Sequence, residues 1–333
     1  MKREAKFWKT ISDKKVQCNL CSHNCKIDDG NYGICRVRKN EDEKLYTMIY
    51  GSVSSIAVDP IEKKPLYHFY PGSSVLSLGT VGCNFKCLHC QNYGISTAGL
   101  DYPHLREVSP EQVIELAKKQ GCEGIAWTYN EPAIWHEFSF DTSKLAKQND
   151  LYTVYVSNGY ITEDPLREIS PYLDAINVDI KAFHEEFYKK VCKARLEPVL
   201  ECCELVKELG IHLEVTYLII PGYNDSTEEI TSFCKWVIEK IGNNVPVHFS
   251  RFHPDYKMTD VKVTPMNTML DAYDVAKKTG ILFPYLGNVP NDEYDNTICP
   301  NCGNECINRQ GYSIDLGGLN KNKCSNCNYI ITH

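Results

Sequence analysis

The stretch Val75-Leu-Ser-Leu-Gly-Thr-Val-Gly82-Cys83-Asn-Phe-Lys-Cys87-Leu-His-Cys90-Gln91-Asn92 decides the reading of this chain. Its first half is a short apolar run, Val75–Thr80, of the kind that forms a buried strand. Its second half places three cysteines in a loop with the spacing Cys-x3-Cys-x2-Cys. Three thiolates neither complete a tetrahedral zinc shell nor ligate all four irons of a cubane cluster. Three thiolates on one short loop do reach a single cube from one side, and they leave one iron open to an exchangeable ligand. The competing reading is a zinc ion completed by His89 or a distant group.

Outward from this stretch, apolar runs alternate with helical patterns. Candidate strands follow at Gly124–Tyr129, Tyr152–Ser157, Ala175–Ile180, His212–Ile220, Val245–Phe252 and Ile281–Leu286, each rich in branched or aromatic residues. Between them, Pro110–Gln120 carries Val113, Ile114, Leu116 and Ala117 at helical spacing, with Ser109 as N-cap and Gly121 as stop. The spans 226–241 and 268–279 read the same way, with Gly280 ending the latter. Such alternation implies parallel strands joined by right-handed crossovers. The expected fold class is α/β, a complete or partial (β/α) TIM-type barrel, with a doubly wound open sheet as the structural alternative. Three parts are expected: a cysteine-rich segment over residues 1–70, the barrel over 71–290, and a small module over 291–333.

The composition is that of a globular protein. Of 333 residues, 43% are hydrophobic and 24% charged, which excludes disordered and fibrous classes. The net charge of −7 argues against general nucleic-acid binding, which needs a basic excess. No run is long and apolar enough to span a membrane, and MKREAKFWKT lacks a signal-peptide core. A cytoplasmic protein is expected. Seventeen cysteines in that compartment point to metal binding rather than to a disulfide framework.

Two further cysteine groups flank the barrel. Cys299-x2-Cys302 and Cys324-x2-Cys327 form two knuckles with the pattern of a zinc ribbon. A structural zinc there staples a segment too small to bury a core of its own. Cys306 reads as a free surface thiol or an alternative ligand. Near the N-terminus, Cys18-x2-Cys21-x3-Cys25-x9-Cys35 supplies four thiolates, a closed shell for zinc or for a second iron–sulfur cluster. The spacing matches no ferredoxin run, which favours a structural zinc, and His23 is able to replace one ligand. Cys122, Cys192, Cys202, Cys203 and Cys234 read as buried or idle thiols.

The three-cysteine loop after a first barrel strand resembles the radical S-adenosylmethionine (radical SAM) superfamily, and Gly82–Asn92 is especially similar to enzymes related to pyruvate formate-lyase activating enzyme. Cys18–Arg36, Trp127-Thr-Tyr-Asn-Glu131-Pro132, His248-Phe-Ser-Arg-Phe-His253-Pro-Asp-Tyr-Lys and Gly287-Asn-Val-Pro resemble the AmmeMemoRadiSam-system radical SAM enzymes. The resemblance implies a [4Fe-4S] cluster on Cys83, Cys87 and Cys90, with S-adenosylmethionine held at the C-terminal ends of the strands, where barrel chemistry gathers.

Residue by residue, it implies the following. Asn130-Glu131-Pro132 stands where the family has Gly-Gly-Glu, which makes Glu131 an acceptor for the methionine amino group. Ser157-Asn158-Gly159 matches the Ser/Thr-Asn-Gly segment against the cofactor. Asp179-Ile180-Lys181 is similar to the segment that contacts ribose or carboxylate. Ile220-Pro221-Gly222 is similar to a turn near the adenine. His248 and His253 flank the end of the strand Val245–Phe252. Each has a plainer reading. Glu131 caps a helix beginning at Pro132, Ser157–Gly159 is a turn, Asp179 and Lys181 are an ion pair, and His253 is a loop residue.

The function implied is reductive cleavage of S-adenosylmethionine to a 5′-deoxyadenosyl radical that abstracts hydrogen from a substrate. By analogy with activating enzymes the substrate is a protein, given a glycyl radical or another modification, and the electron comes from a donor such as flavodoxin or ferredoxin. The alternative function is a non-catalytic zinc-ribbon binding or scaffold protein. No catalytic side chain is assigned from sequence.

Overall fold

The computed structural model describes residues 1–290 and 292–332. Its centre is an eight-stranded sheet: β1 (Ser55–Pro60), β2 (Ser74–Gly79), β3 (Gly124–Trp127), β4 (Tyr152–Ser157), β5 (Ala175–Asp179), β6 (His212–Ile219), β7 (Val247–Arg251) and β8 (Pro284–Gly287). The strands lie in chain order from β1 to β8. β2 to β8 are parallel, and β1 runs antiparallel to β2. The sheet ends at β1 and β8, so the barrel is partial, as one of the two expected forms. The parallel strands are almost wholly buried, because a sheet covered on both faces has no wet side.

The crossovers carry α1 (Pro110–Lys119), α2 (His136–Lys147), α3 (Glu163–Ile169), α4 (Glu197–Glu208), α5 (Thr227–Trp236) and α6 (Met266–Thr279). Ser109 caps α1 in a full capping box with Gln112, which fixes the start expected from sequence. The segment after Ser226 is one α-helix that continues as a π-turn over Val237–Ile241. Gly280, at φ +113°, ends α6 in a conformation that glycine adopts without a Cβ penalty.

The first joint differs from expectation. β1 falls inside the segment assigned by sequence to the N-terminal part, and residues 61–70 then fold under the barrel. Ile61, Leu66 and Phe69 pack on Val75, Ala126, Val154 and Ala175 and fill the interior at the N-terminal ends of the strands. Buried Glu214 of β6 holds this plug by accepting from the backbone N–H groups of Tyr67 and His68 at 3.0 and 2.7 Å. The same carboxylate meets His212 at 2.9 Å and His248 at 2.6 Å.

The C-terminal module covers this base. Tyr67, Phe283 and Tyr285 share one core with Cys299, Cys306, Ile307, Cys324 and Ile331. Arg309 donates to the Tyr67 carbonyl at 2.7 Å and lies 4.2 Å from its ring centroid. The N-terminal segment forms two small antiparallel sheets, Trp8–Ser12/Lys15–Cys18/Lys26–Asp28 and Arg3–Glu4/Lys44–Thr47/Arg38–Glu41. It docks beside the opposite end of the barrel, where Cys21 bridges to Ile161 and buried Arg38 pairs with buried Glu137 at 2.7 Å. Among the described residues, no helix is long and apolar enough to cross a membrane.

Candidate active site

The cysteine loop leaves β2 at its C-terminal end, which places it at the mouth of the barrel. Two backbone bonds tie it to the turn after β5: Lys86 N donates to Cys192 O at 2.9 Å and Leu88 N to Val191 O at 3.1 Å. Asn130 pins the strand end, accepting from Thr80 N at 3.1 Å and donating to Gly82 O at 2.7 Å. Cys83, Cys87 and Cys90 are each half-buried. Burial pushes the Cys83 and Cys90 thiols above their ordinary range, and the charge of Glu131 adds to this at Cys83; at Cys87 a hydrogen bond with the Cys192 thiol raises it most, and burial adds to that. A bound metal centre reverses that logic, because ligation deprotonates a thiol outright.

Among the described residues, the group of metal-ligating atoms that all lie within 4.8 Å of one another is Cys299, Cys302, Cys324 and Cys327. The barrel triad, with or without His89, forms no such group. Its sulfurs are therefore not gathered as a single ion gathers them, which suits the donor set to a larger iron–sulfur cluster rather than to zinc. His89 is buried with neither ring nitrogen hydrogen-bonded, and burial, aided by the charge of Lys181, lowers its pKa to about 3. The ring is neutral and keeps a donor and an acceptor in hand.

Around this loop, the strand ends bring most of the expected residues together. Glu131 follows β3 and is 2% exposed. It accepts from Ala133 N at 2.9 Å, Ser157 Oγ at 2.8 Å and Asn158 N at 2.8 Å, so the cap reading and the site reading describe one geometry. Three of its roughly four lone-pair positions are used, and one remains on Oε2. Burial raises its pKa to about 7, against the pull of these donors and of Lys181. Ser157 and Asn158 form the expected turn, since their side chains also accept from Gly159 N at 3.0 Å and Tyr160 N at 3.1 Å. Asn158 Nδ2 donates to Asn84 Oδ1 at 2.8 Å, which joins the β4 end to the cysteine loop.

Asp179 and Lys181 are paired at 3.1 Å. Burial disfavours the Lys181 charge, yet Asp179 and the Cys87 and Cys192 thiols outweigh it and hold the ammonium well above the usual lysine range. The field of Lys181 reaches Cys87, Cys90, His89 and Glu131, which makes it the central cation of the mouth.

Two histidines stand elsewhere. His253 lies in the loop after β7 with its side chain 71% exposed, 3.5 Å from Asp255, and it does not join the group. His248 is the second residue of β7, not a residue at its end. It belongs to the base of the barrel with Glu214. Sequence reasoning passed over Asn84, weighed His89 only as a completing zinc ligand, and read Cys192 as a buried or idle thiol. The first two lie inside the motif itself, whereas Cys192 reaches Cys87 only through the turn over Tyr188–Cys192. Cys122, Cys202, Cys203 and Cys234 are buried, as expected.

The two outer cysteine groups differ in geometry. In the C-terminal quartet Cys299 and Cys327 sulfurs lie 3.5 Å apart, and those of Cys302 and Cys324 lie 3.6 Å apart. Tetrahedral zinc with sulfur ligands has a sulfur–sulfur spacing of about 3.8 Å, so this quartet fits one ion. Burial opposes ionisation of Cys324, but the N–H groups of Cys327 and Asn326 and the Cys302 thiol lower its pKa to about 6. Cys306 is fully buried, which corrects its reading as a surface thiol. It packs in the core that docks the module. The N-terminal four cysteines instead line one pocket and, among the described residues, form no group gathered that closely.

Comparison with known proteins agrees with this arrangement. Residues 77–234 match the radical SAM superfamily. An uncharacterised protein of Methanocaldococcus jannaschii is 47% identical over 98% of this chain and 97% of its own length. The pyruvate formate-lyase-activating enzyme of Clostridium pasteurianum is 23% identical over 54% of this chain and 81% of its own. A radical SAM methyltransferase from Sphaerobacter thermophilus shares the fold at a TM-score of 0.51 and 13% identity, over 66% of this chain and 67% of that one. With its cysteine triad after the first parallel strand of a partial (β/α) barrel, the chain belongs to the radical SAM superfamily and is a radical SAM enzyme.

Proposed function

We propose that the protein is a radical SAM enzyme of the AmmeMemoRadiSam type that modifies a protein partner, with electrons from a flavodoxin or ferredoxin. Cys83, Cys87 and Cys90 would hold a [4Fe-4S] cluster. Glu131, Ser157, Asn158, Asp179 and Lys181 would hold S-adenosylmethionine. When bound, these groups supply one-electron cleavage of a sulfonium bond, which yields a primary carbon radical for hydrogen abstraction.

The protein's own part is to orient and to desolvate. Glu131 offers its remaining lone pair to an ammonium group at a depth where water does not compete. Lys181, shared between Asp179 and the cysteine loop, offers a cation to a carboxylate. Asp179, partly exposed at the end of β5, offers oxygens to hydroxyl groups. The Asn84–Asn158 bond and the Asn130–Gly82 bond hold the loop against these strand ends, so the ligands keep their places when a substrate arrives.

The observation that carries this reading is the convergence of Glu131 and Lys181, from two strand ends, on one three-cysteine loop. The protein-substrate part rests on similarity to an enzyme named for activating another enzyme. Anaerobic protein given dithionite and S-adenosylmethionine should release 5′-deoxyadenosine and methionine, and Cys87→Ala should abolish that release. Unchanged release from the variant would remove the cluster assignment.

A further inference from the structure

We infer that the N-terminal cysteines Cys18, Cys21, Cys25 and Cys35 bind an iron–sulfur cluster rather than the single zinc ion that their spacing suggests. The inference does not depend on how the barrel triad is read.

The first observation is spacing. All four cysteines line one pocket, together with Leu20, Ile27 and Ile134. Among the described residues their sulfurs do not form a group gathered within 4.8 Å. The C-terminal quartet of the same chain, at 3.5 and 3.6 Å, shows what a single-ion shell looks like in this protein. Four thiolates around a cube stand farther apart than four around one ion, because iron and sulfide lie between them.

The second observation is a set of unused donors. Asn84 and Arg38 both line the pocket, and both are at least 99% buried. Asn84 Nδ2 and Arg38 Nε have no hydrogen-bond partner, although the other polar atoms of these side chains do. An orphaned buried N–H is costly to leave unsatisfied, so a folded protein rarely keeps two beside one cavity. Cluster sulfides and thiolates are acceptors that would satisfy them. The backbone N–H groups of His23, Ile34 and Val37 already point at the sulfurs of Cys21, Cys25 and Cys35. Such N–H···S bonds stabilise and tune a cluster. A zinc–thiolate shell carries no bridging sulfides for two further donors to reach.

The site adjoins the barrel loop. His23 Nε2 lies 2.9 Å from the Asn84 carbonyl, and Asn84 follows Cys83 directly.

The test uses the full chain with Cys83→Ala, Cys87→Ala and Cys90→Ala combined, prepared anaerobically and supplied with ferrous iron and sulfide. The inference expects about two or four irons per chain with an equal amount of sulfide, one zinc, and a paramagnetic signal after dithionite reduction. Adding Asn84→Leu to this variant should move the reduction potential of that cluster to more negative values, because a donor to its sulfurs is lost. Two zincs with no iron, one zinc with no iron, or iron without matching sulfide would each overturn the inference. So would a potential indifferent to Asn84→Leu. Loss of 5′-deoxyadenosine release in the triple variant belongs to the barrel site and bears only on the proposed function.

Discussion

The carbonyl oxygen of Cys35 lies 2.5 Å from the point where a β-carbon on Gly82 would stand. Gly82 has φ +83° and immediately precedes Cys83. One glycine thus allows the N-terminal four-cysteine segment to press against the loop that carries the barrel triad. Val37 would also meet that β-carbon, at 2.8 Å. Gly82→Ala therefore combines a left-handed backbone with a backbone clash. The expected cost is about 2–4 kcal/mol of stability, seen as a lower thermal midpoint. Separation of the two segments should also lower iron retention after reconstitution, measured as iron per chain against the parent protein. An unaltered midpoint and iron content would show that the two loops are not held in register here.

Much of this architecture is legible in the sequence, for identifiable reasons. The seven parallel strands are continuous apolar runs bounded by turn residues, so each is found to within a few residues. Ser109 and Gly280 mark helix ends because capping and left-handed stops are local chemistry. β1 is missed because it is a two-faced edge strand. Ile56 and Val58 are exposed, so Ser55–Pro60 lacks the solid apolar signature of its neighbours. The plug of residues 61–70 is missed for a different reason. Its burial is decided by Glu214, about 150 residues away, and no local pattern announces a carboxylate waiting under a barrel.

The site shows the same division. Glu131, Ser157, Asn158, Asp179 and Lys181 are visible because they recur at strand ends. His248 misleads because strand periodicity gives its face but not its height within the barrel. Cys192 looks like any buried thiol, and only the fold of the turn over residues 188–192 brings it to Cys87.

Lys181 is the residue whose removal tests the proposed mouth most directly. Its ammonium is shared between Asp179 and the cysteine loop, while Asp179 retains access to water with its side chain 36% exposed. Lys181→Met should therefore leave the fold and the iron content in place. A charge-assisted contact to a carboxylate contributes about 1.5–3 kcal/mol, so affinity for S-adenosylmethionine should fall about 10- to 100-fold. Equilibrium binding to the anaerobic, reconstituted variant measures this. Equal affinity would reduce Lys181 to a structural partner of Asp179.

The barrel base carries a pH dependence separate from catalysis. His68 is fully enclosed between Ile331 O at 2.6 Å and Tyr285 Oη at 2.6 Å. Burial lowers its pKa to about 3 from 6.5, and the positive charge of Arg309 works in the same direction against Glu214. In the unfolded chain the ring takes up its proton as the pH falls through 6.5, while in the folded chain it resists until about 3. Stability from this group is therefore present above pH 6.5 and is lost progressively as the pH falls, by about 1.4 kcal/mol per pH unit at most. Glu214, held well below the usual carboxylate range despite its burial by His212 and His248, adds a loss of the same sign below about pH 4.5. The two windows separate the groups. His68→Phe should flatten the stability profile between pH 6.5 and 4.5 while keeping the steeper loss below it. Denaturant unfolding across that range measures the slope. Because His68 bonds Ile331 of the C-terminal module, release of that module should accompany acid unfolding, read as faster proteolysis beyond residue 296. An equally steep profile between pH 6.5 and 4.5 in the variant would show that His68 does not set the acid sensitivity there.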